Sequence, residues 1–237
     1  MIKKTLWIVP YVILLSVSEI FLSTREAQPL SDVLWYSIFG RLRAGDVQTL
    51  VLSVKSIGIL FLFALLFGNS LSDYFGSNSM IIFTRVNNRR RWSVRKILAL
   101  CGLSFVYTGF LLLLKFLIGI RRVKAWSLDP FTIQTLVTLL GMILPLLVTI
   151  CLLVNWVSIG HGAAIAIFSV FVAVILLELI AILGYDHTAM ILFNPLCFSV
   201  IVLSTPKLGF LKILVGLFYL ILVSLGTIFH MEHMDIF

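Results

Sequence analysis

The chain has 237 residues, 61% of them hydrophobic and only 12% charged, and its basic residues outnumber its acidic ones to give a net charge of +8. A mean hydropathy of +1.14 excludes a soluble globular domain, and repeated apolar runs of about twenty residues match the hydrocarbon thickness of a bilayer. The positive charge does not mark a nucleic-acid binder, because the basic residues sit at the ends of apolar runs, where lipid headgroups lie.

The first apolar run follows Lys3 and Lys4 and predicts a span over about 5–22. Lys3–Lys4 before an oily stretch also resembles a secretory signal, but Glu19 and Phe21 make a poor small-residue cleavage site, so a retained span is expected. Residues 23–48 are mixed in character. Leu34, Trp35, Ile38, Phe39 and Leu42 recur there at helical spacing, which predicts a short amphipathic helix on the outer surface of the bilayer.

Further spans are expected at about 49–68, 97–120, 131–155, 162–184 and 208–230. Inside lipid each segment must satisfy its own backbone, which requires helices. Between the second and third spans, 69–96 is polar and then strongly basic, with Arg85, Arg89, Arg90, Arg91, Arg95 and Lys96 in its second half. By the positive-inside rule this loop and both termini belong in the cytoplasm, although Arg121, Arg122 and Lys124 then fall outside. Trp7, Trp92, Trp126 and Trp156 lie near predicted span ends, as interfacial anchors should. The small residues Gly160, Gly162, Ala163, Ala164 and Ala166 open the fifth span and predict close helix packing there, within the chain or across a dimer. The connection 185–207 is apolar yet broken by Asn194–Pro195 and Thr205–Pro206, which predicts two short re-entrant helices rather than a seventh span.

The chemistry-bearing residues are few. No Gly-Lys-Ser/Thr triplet occurs, so the chain has no nucleotide-phosphate loop of its own. Cys101, Cys151 and Cys197 have neither metal-ligand spacing nor an even count and read as small apolar residues. His230, Glu232 and His233 lack the spacing that places two imidazoles on one helix face and read as a solvated tail. Asp186–His187 lacks the partners an acid–base pair would need at membrane depth, so no catalytic residue, cofactor site or metal site is expected. Glu19, Lys55, Lys115 and Glu178 are charges within apolar runs, all in the outer half of the membrane in this orientation. Each would cost about 2.5–3.5 kcal/mol in lipid, so they are expected to pair or to line an outer vestibule, with lysine snorkelling as the simpler account of Lys55 and Lys115.

Six spans, cytoplasmic termini, a cytoplasmic segment after span two and a broken connection before the last span resemble the permease subunit of type-2 ATP-binding-cassette exporters. The run with Arg85, Arg89, Trp92 and Lys96 is similar to the R-x-x-x-R-x-x-W-x-x-x-K pattern that follows the second span in small bacterial permeases of this kind. The resemblance implies an all-α integral membrane protein of the cell membrane, one transmembrane domain over 1–237, working as a dimer of permease chains. It implies a separate ATPase beneath each chain, carrying the ATP and Mg. A coupling helix would lie in 69–83, where Leu71, Asp73, Tyr74, Phe75, Ile81, Ile82 and Phe83 offer contacts to the ATPase, with the following arginines and Trp92 as the membrane-interface anchor. Only four residues precede the first span, unlike relatives that begin with a cytoplasmic amphipathic helix, which directs the expected cargo toward peptides, lantibiotics or drugs. A self-contained immunity factor, channel or sensor without an ATPase is the alternative; there the arginine cluster only fixes topology.

Overall fold

The computed structural model describes residues 30–39, 47–72, 88–120, 129–183, 187–197 and 206–233. Every element among them is a helix: α1 Leu30–Phe39, α2 Val47–Phe67, α3 Arg89–Ile120, α4 Pro130–His161, α5 Ala163–Leu183, α6 Thr188–Phe193 and α7 Pro206–His233. Four of these, α3, α4, α5 and α7, are long and apolar enough to cross a membrane. An all-helical chain with four such helices is an integral membrane protein by the length and composition a bilayer demands. The first expected span, with Glu19, lies outside the described residues.

Helix α4 is the centre of the bundle and packs against α1, α2, α3, α5 and α7. Its sequence explains this role, because it is apolar all round and buries residues on every side, from Leu139 through Val148 to Val154. Pro130 opens it at the first helical position, where a missing N–H is harmless. Gly162, with φ of 83°, ends it and turns the chain directly into α5. Within the chain, only Ala166 of the small residues around this turn is buried; Gly160 has no neighbour where a Cβ would point, and Ala163 and Ala164 are exposed, which leaves packing across a dimer as the expectation for them. Close approach occurs elsewhere. A Cβ on Gly141 would stand 2.9 Å from Ile213 of α7, and one on Gly119 of α3 would stand 2.9 Å from Leu30 of α1.

Two differences from the sequence reading are informative. Helix α3 begins at Arg89 rather than at 97, because Asn88 Oδ1 accepts the Arg91 N–H at 2.9 Å and the basic residues continue the helix below its apolar part. Hydropathy marks where oil begins, not where a helix begins. Of the amphipathic stripe, Leu34, Trp35 and Ile38 are buried on α1, which packs on α2, α3 and α4, while Leu42 and the Phe39 side chain lie outside what the structure describes. Ser56 of α2 also donates a hydrogen bond to the Ile38 carbonyl at 2.6 Å.

The helix ends collect into two groups. At the basic end, Ser93 of α3 reaches Met231 Sδ at 3.2 Å, and the Trp156 and His230 rings lie 5.9 Å apart. At the opposite end lie the start of α1, the end of α3, the end of α5, α6 and the start of α7. The outward faces of α5 and α7 are strongly apolar, with Phe168, Leu183, Phe218 and Phe229 all well exposed.

Candidate functional site

At the end away from Arg89–Arg95, α6 is six residues long, a rise of only about 9 Å. Asn194–Pro195 stops it, and a helix so short leaves most of its carbonyls without internal donors. Lys212, on the second turn of α7, serves one of these, at Ile191, and two more just beyond the helix end. Its side chain is 4% exposed, and Nζ donates to the carbonyls of Ile191 at 2.8 Å, Asn194 at 3.3 Å and Cys197. An ammonium has three donors and no acceptor, so three carbonyls are its full complement.

Further ties bind the same segment on both sides. Asn194 Nδ2 donates to the Leu177 carbonyl of α5 at 2.8 Å, while its Oδ1 accepts the Leu196 N–H at 3.0 Å. The Tyr219 hydroxyl of α7 donates to the Phe193 carbonyl at 2.9 Å. Residues 187–197 are thus stitched to α7 by the side chains of Lys212 and Tyr219, and to the α5 backbone by their own Asn194. Where the sequence predicts two short helices in 185–207, one is present, and 198–205 lie outside the described residues.

Glu178 of α5 is 6% exposed and its carboxylate acts electrostatically on Lys212. Lys115 of α3 is 2% exposed. Both are enclosed by protein, which removes the need for snorkelling at Lys115. Lys55 lies in α2, but its side chain, like Glu19, is outside what the structure describes.

Beneath the stitched segment is a cavity of about 340 Å³ between α4, α5, α6 and α7. Met142, Leu146 and Leu153 of α4, Leu177 of α5 and Val223 of α7 give it apolar walls. Lys212 and Tyr219 also border it, but their polar atoms are turned to backbone carbonyls. Thr149 completes that side, its Oγ1 buried without a hydrogen-bond partner.

At the basic end a second cluster forms where α2 gives way to the polar segment. Asn155 of α4 is fully buried. Its Oδ1 accepts the N–H groups of Leu71 at 2.8 Å and Ser72 at 3.0 Å, and its Nδ2 donates to the Cys151 carbonyl at 2.7 Å. Ser158, nearly a turn further along, donates to the Ser72 hydroxyl at 3.0 Å. One carboxamide therefore caps the exit of α2 and fixes it to the central helix.

Of the expected coupling residues, only Leu71 is described, and it is buried. Asp73, Tyr74, Phe75, Ile81, Ile82, Phe83 and Arg85 lie outside the described residues. The anchor residues occupy the first two turns of α3: Arg90, Arg91 and Arg95 are exposed, while Arg89, Trp92 and Lys96 are half-buried. Lys96 Nζ stands 5.7 Å from the Trp92 ring centroid, a cation–π arrangement suited to an interface.

Lys212, Asn155, Ser158 and Asn194 were not legible as site residues. The available signals were a lysine inside the last apolar run and an asparagine at the end of the fourth. Comparison with protein-family models, with curated proteins and with solved structures finds no match.

Proposed function

We propose that this chain is the membrane-spanning permease subunit of an ATP-binding-cassette exporter, moving a peptide, lantibiotic or other amphipathic cargo outward with a separate ATPase. The observation that carries the reading is the seating of Leu71 and Ser72 on Asn155 and Ser158. A segment that receives force from a motor must be rooted in something rigid. Here the root of 73–87 is tied to α4, the helix against which α1, α2, α3, α5 and α7 all pack. A push on that segment is delivered to the bundle, not absorbed in a loose loop. The basic end carries Arg89, Arg90, Arg91, Arg95 and Lys96 and is assigned to the cytoplasm, and the reading takes six spans with both termini inside. The stitched segment 187–197 then closes the outer end.

In this reading two permease chains pair, as a homodimer or a heterodimer, and an ATPase docks beneath each. ATP shifts the assembly between states only by the difference in its binding to them. The test is a mild-detergent pull-down of the tagged chain from its native membranes, with mass spectrometry of its companions. An ATPase recovered in comparable amount supports the proposal. A chain recovered alone, or only with itself, overturns it in favour of a self-contained membrane protein.

A further inference from the structure

We infer that the cavity between α4, α5, α6 and α7 holds one hydrocarbon chain of a membrane lipid. Its walls decide what can occupy it. A buried water needs about 2–4 polar partners. The Lys212 donors and the Tyr219 O–H are already committed to backbone carbonyls, which leaves only the Tyr219 oxygen and the Thr149 hydroxyl as side-chain polar groups in a hollow of about 340 Å³, far too few for the several waters it would hold. Water is therefore a poor occupant. The same commitment of Lys212 leaves no donor to receive an anionic headgroup. An empty apolar hollow forfeits the dispersion contacts its lining would otherwise make. The occupant that restores them is apolar.

The shape selects among apolar occupants. A second hollow of about 350 Å³ shares Phe193, Val215 and Tyr219 with the first and continues onto Leu214 and Phe218, which are exposed on α7. The space thus opens sideways, across an outward apolar face, rather than toward either end of the bundle. In a membrane-spanning chain, that face meets acyl chains. A helix of a second copy, about 10–12 Å across with its side chains, is too wide to enter between the four walls. A flexible chain threads past Val215 without moving them. No ATPase is needed for such occupancy, so it stands or falls separately from the exporter reading.

The experiment uses the full chain in vesicles of phosphatidylcholine containing a small fraction of the same lipid with a diazirine midway along one acyl chain. After irradiation, adducts are mapped by peptide mass spectrometry. The expected result is labelling at Met142, Leu146 or Val223 inside the cavity, in addition to the outward residues Leu176 and Leu179 of α5. Val215→Trp, which obstructs the neck between the two hollows, is expected to lower interior labelling about tenfold, equivalent to about 1.4 kcal/mol of occupancy, with Leu179 unchanged. Replacing the probe by a phosphatidylglycerol of the same chain leaves interior labelling the same, because the site reads the chain and not the headgroup. Labelling confined to the outward faces in the native chain overturns the inference without recourse to any variant. So does protein–protein cross-linking through Val215 or Phe218 in place of lipid adducts, which assigns the hollow to a second copy.

Discussion

Replacing Lys212 by methionine keeps an unbranched side chain, one atom shorter, and removes its three donors. The carbonyls of Ile191, Asn194 and Cys197 lose the ammonium that serves them. A hydrogen bond to a charged group contributes about 1.5–3 kcal/mol, and a buried acceptor left without a donor costs about 1–3 kcal/mol. Against this, methionine escapes the desolvation of a buried ammonium, worth several kcal/mol, so the gross loss is largely offset. The balance is a loosening of about 2–4 kcal/mol, felt by 187–197 and not by the bundle, because local openings carry their own free energies. At 1.4 kcal/mol per decade, that raises the open population of the segment about thirtyfold to several-hundredfold. Cys197 is fully buried within this segment, and Cys151 is fully buried on α4. The assay is maleimide labelling of the chain in vesicles, resolved by peptide mass spectrometry. In Lys212→Met, Cys197 is expected to label faster by that factor while Cys151 stays at the native rate. An unchanged Cys197 rate refutes the role given to Lys212, and a parallel rise at Cys151 shows that the whole bundle, not the segment, depends on it.

Asn155→Leu strands the N–H groups of Leu71 and Ser72 and is expected to cost about 2–4 kcal/mol, lowering the apparent melting temperature in detergent more than Ser158→Ala, which loses a single hydroxyl pair. Gly68→Ala would drive a Cβ onto the Ala64 carbonyl oxygen and to 3.0 Å from Val154, so it should destabilise by about 1–3 kcal/mol. Gly102→Ala, with nothing near its Cβ, should stabilise α3 by about 0.5–1 kcal/mol in the same melts. Glu178→Gln combined with Lys212→Met should be non-additive by about 0.5–3 kcal/mol, because each charge acts on the other, whereas strict additivity would separate them. On the exporter reading, Tyr74→Ala or Phe75→Ala leaves the protein folded but uncouples ATP hydrolysis from transport; unchanged transport in both would displace the coupling helix from 69–83.

What the sequence makes legible is whatever depends on one segment at a time. The apolar runs locate α2, α4, α5 and α7 closely, since hydrophobic length is a local property. The stripe of Leu34, Trp35 and Ile38 is equally visible, but periodicity identifies a buried face without saying whether lipid or protein covers it. Lys115 and Glu178 stand out as charges in oily runs. Lys212 escapes notice because its position near Pro206 suits an interfacial lysine. Its meaning lies in carbonyls 15 to 21 residues away, exposed by the Asn194–Pro195 break. Asn155 is harder still, since it ends an apolar run as any polar residue would and its partners are 83 and 84 residues distant.

The two clusters share a helix, and this gives their separation a mechanical meaning. Met142, Leu146, Thr149 and Leu153 of α4 line the cavity, and Asn155 and Ser158 of the same helix hold the exit of α2. From Thr149 to Asn155 is six residues, about 9 Å along a helix axis. Pro145 lies within the cavity-lining stretch, where it cannot donate to Gly141 and so removes one bond from the helix ladder. Gly216 of α7 approaches that proline so closely that a Cβ there would stand 3.3 Å from its ring. The ladder is thus weakened where α7 braces it, between the cavity-lining residues Met142 and Leu146. On the exporter reading, a displacement delivered at Leu71 and Ser72 would enter α4 below this point, and a bend at Pro145 would change the cavity wall formed by Met142 and Leu146. The basic-end clamp and the apolar hollow are therefore joined through one rigid element with one soft position.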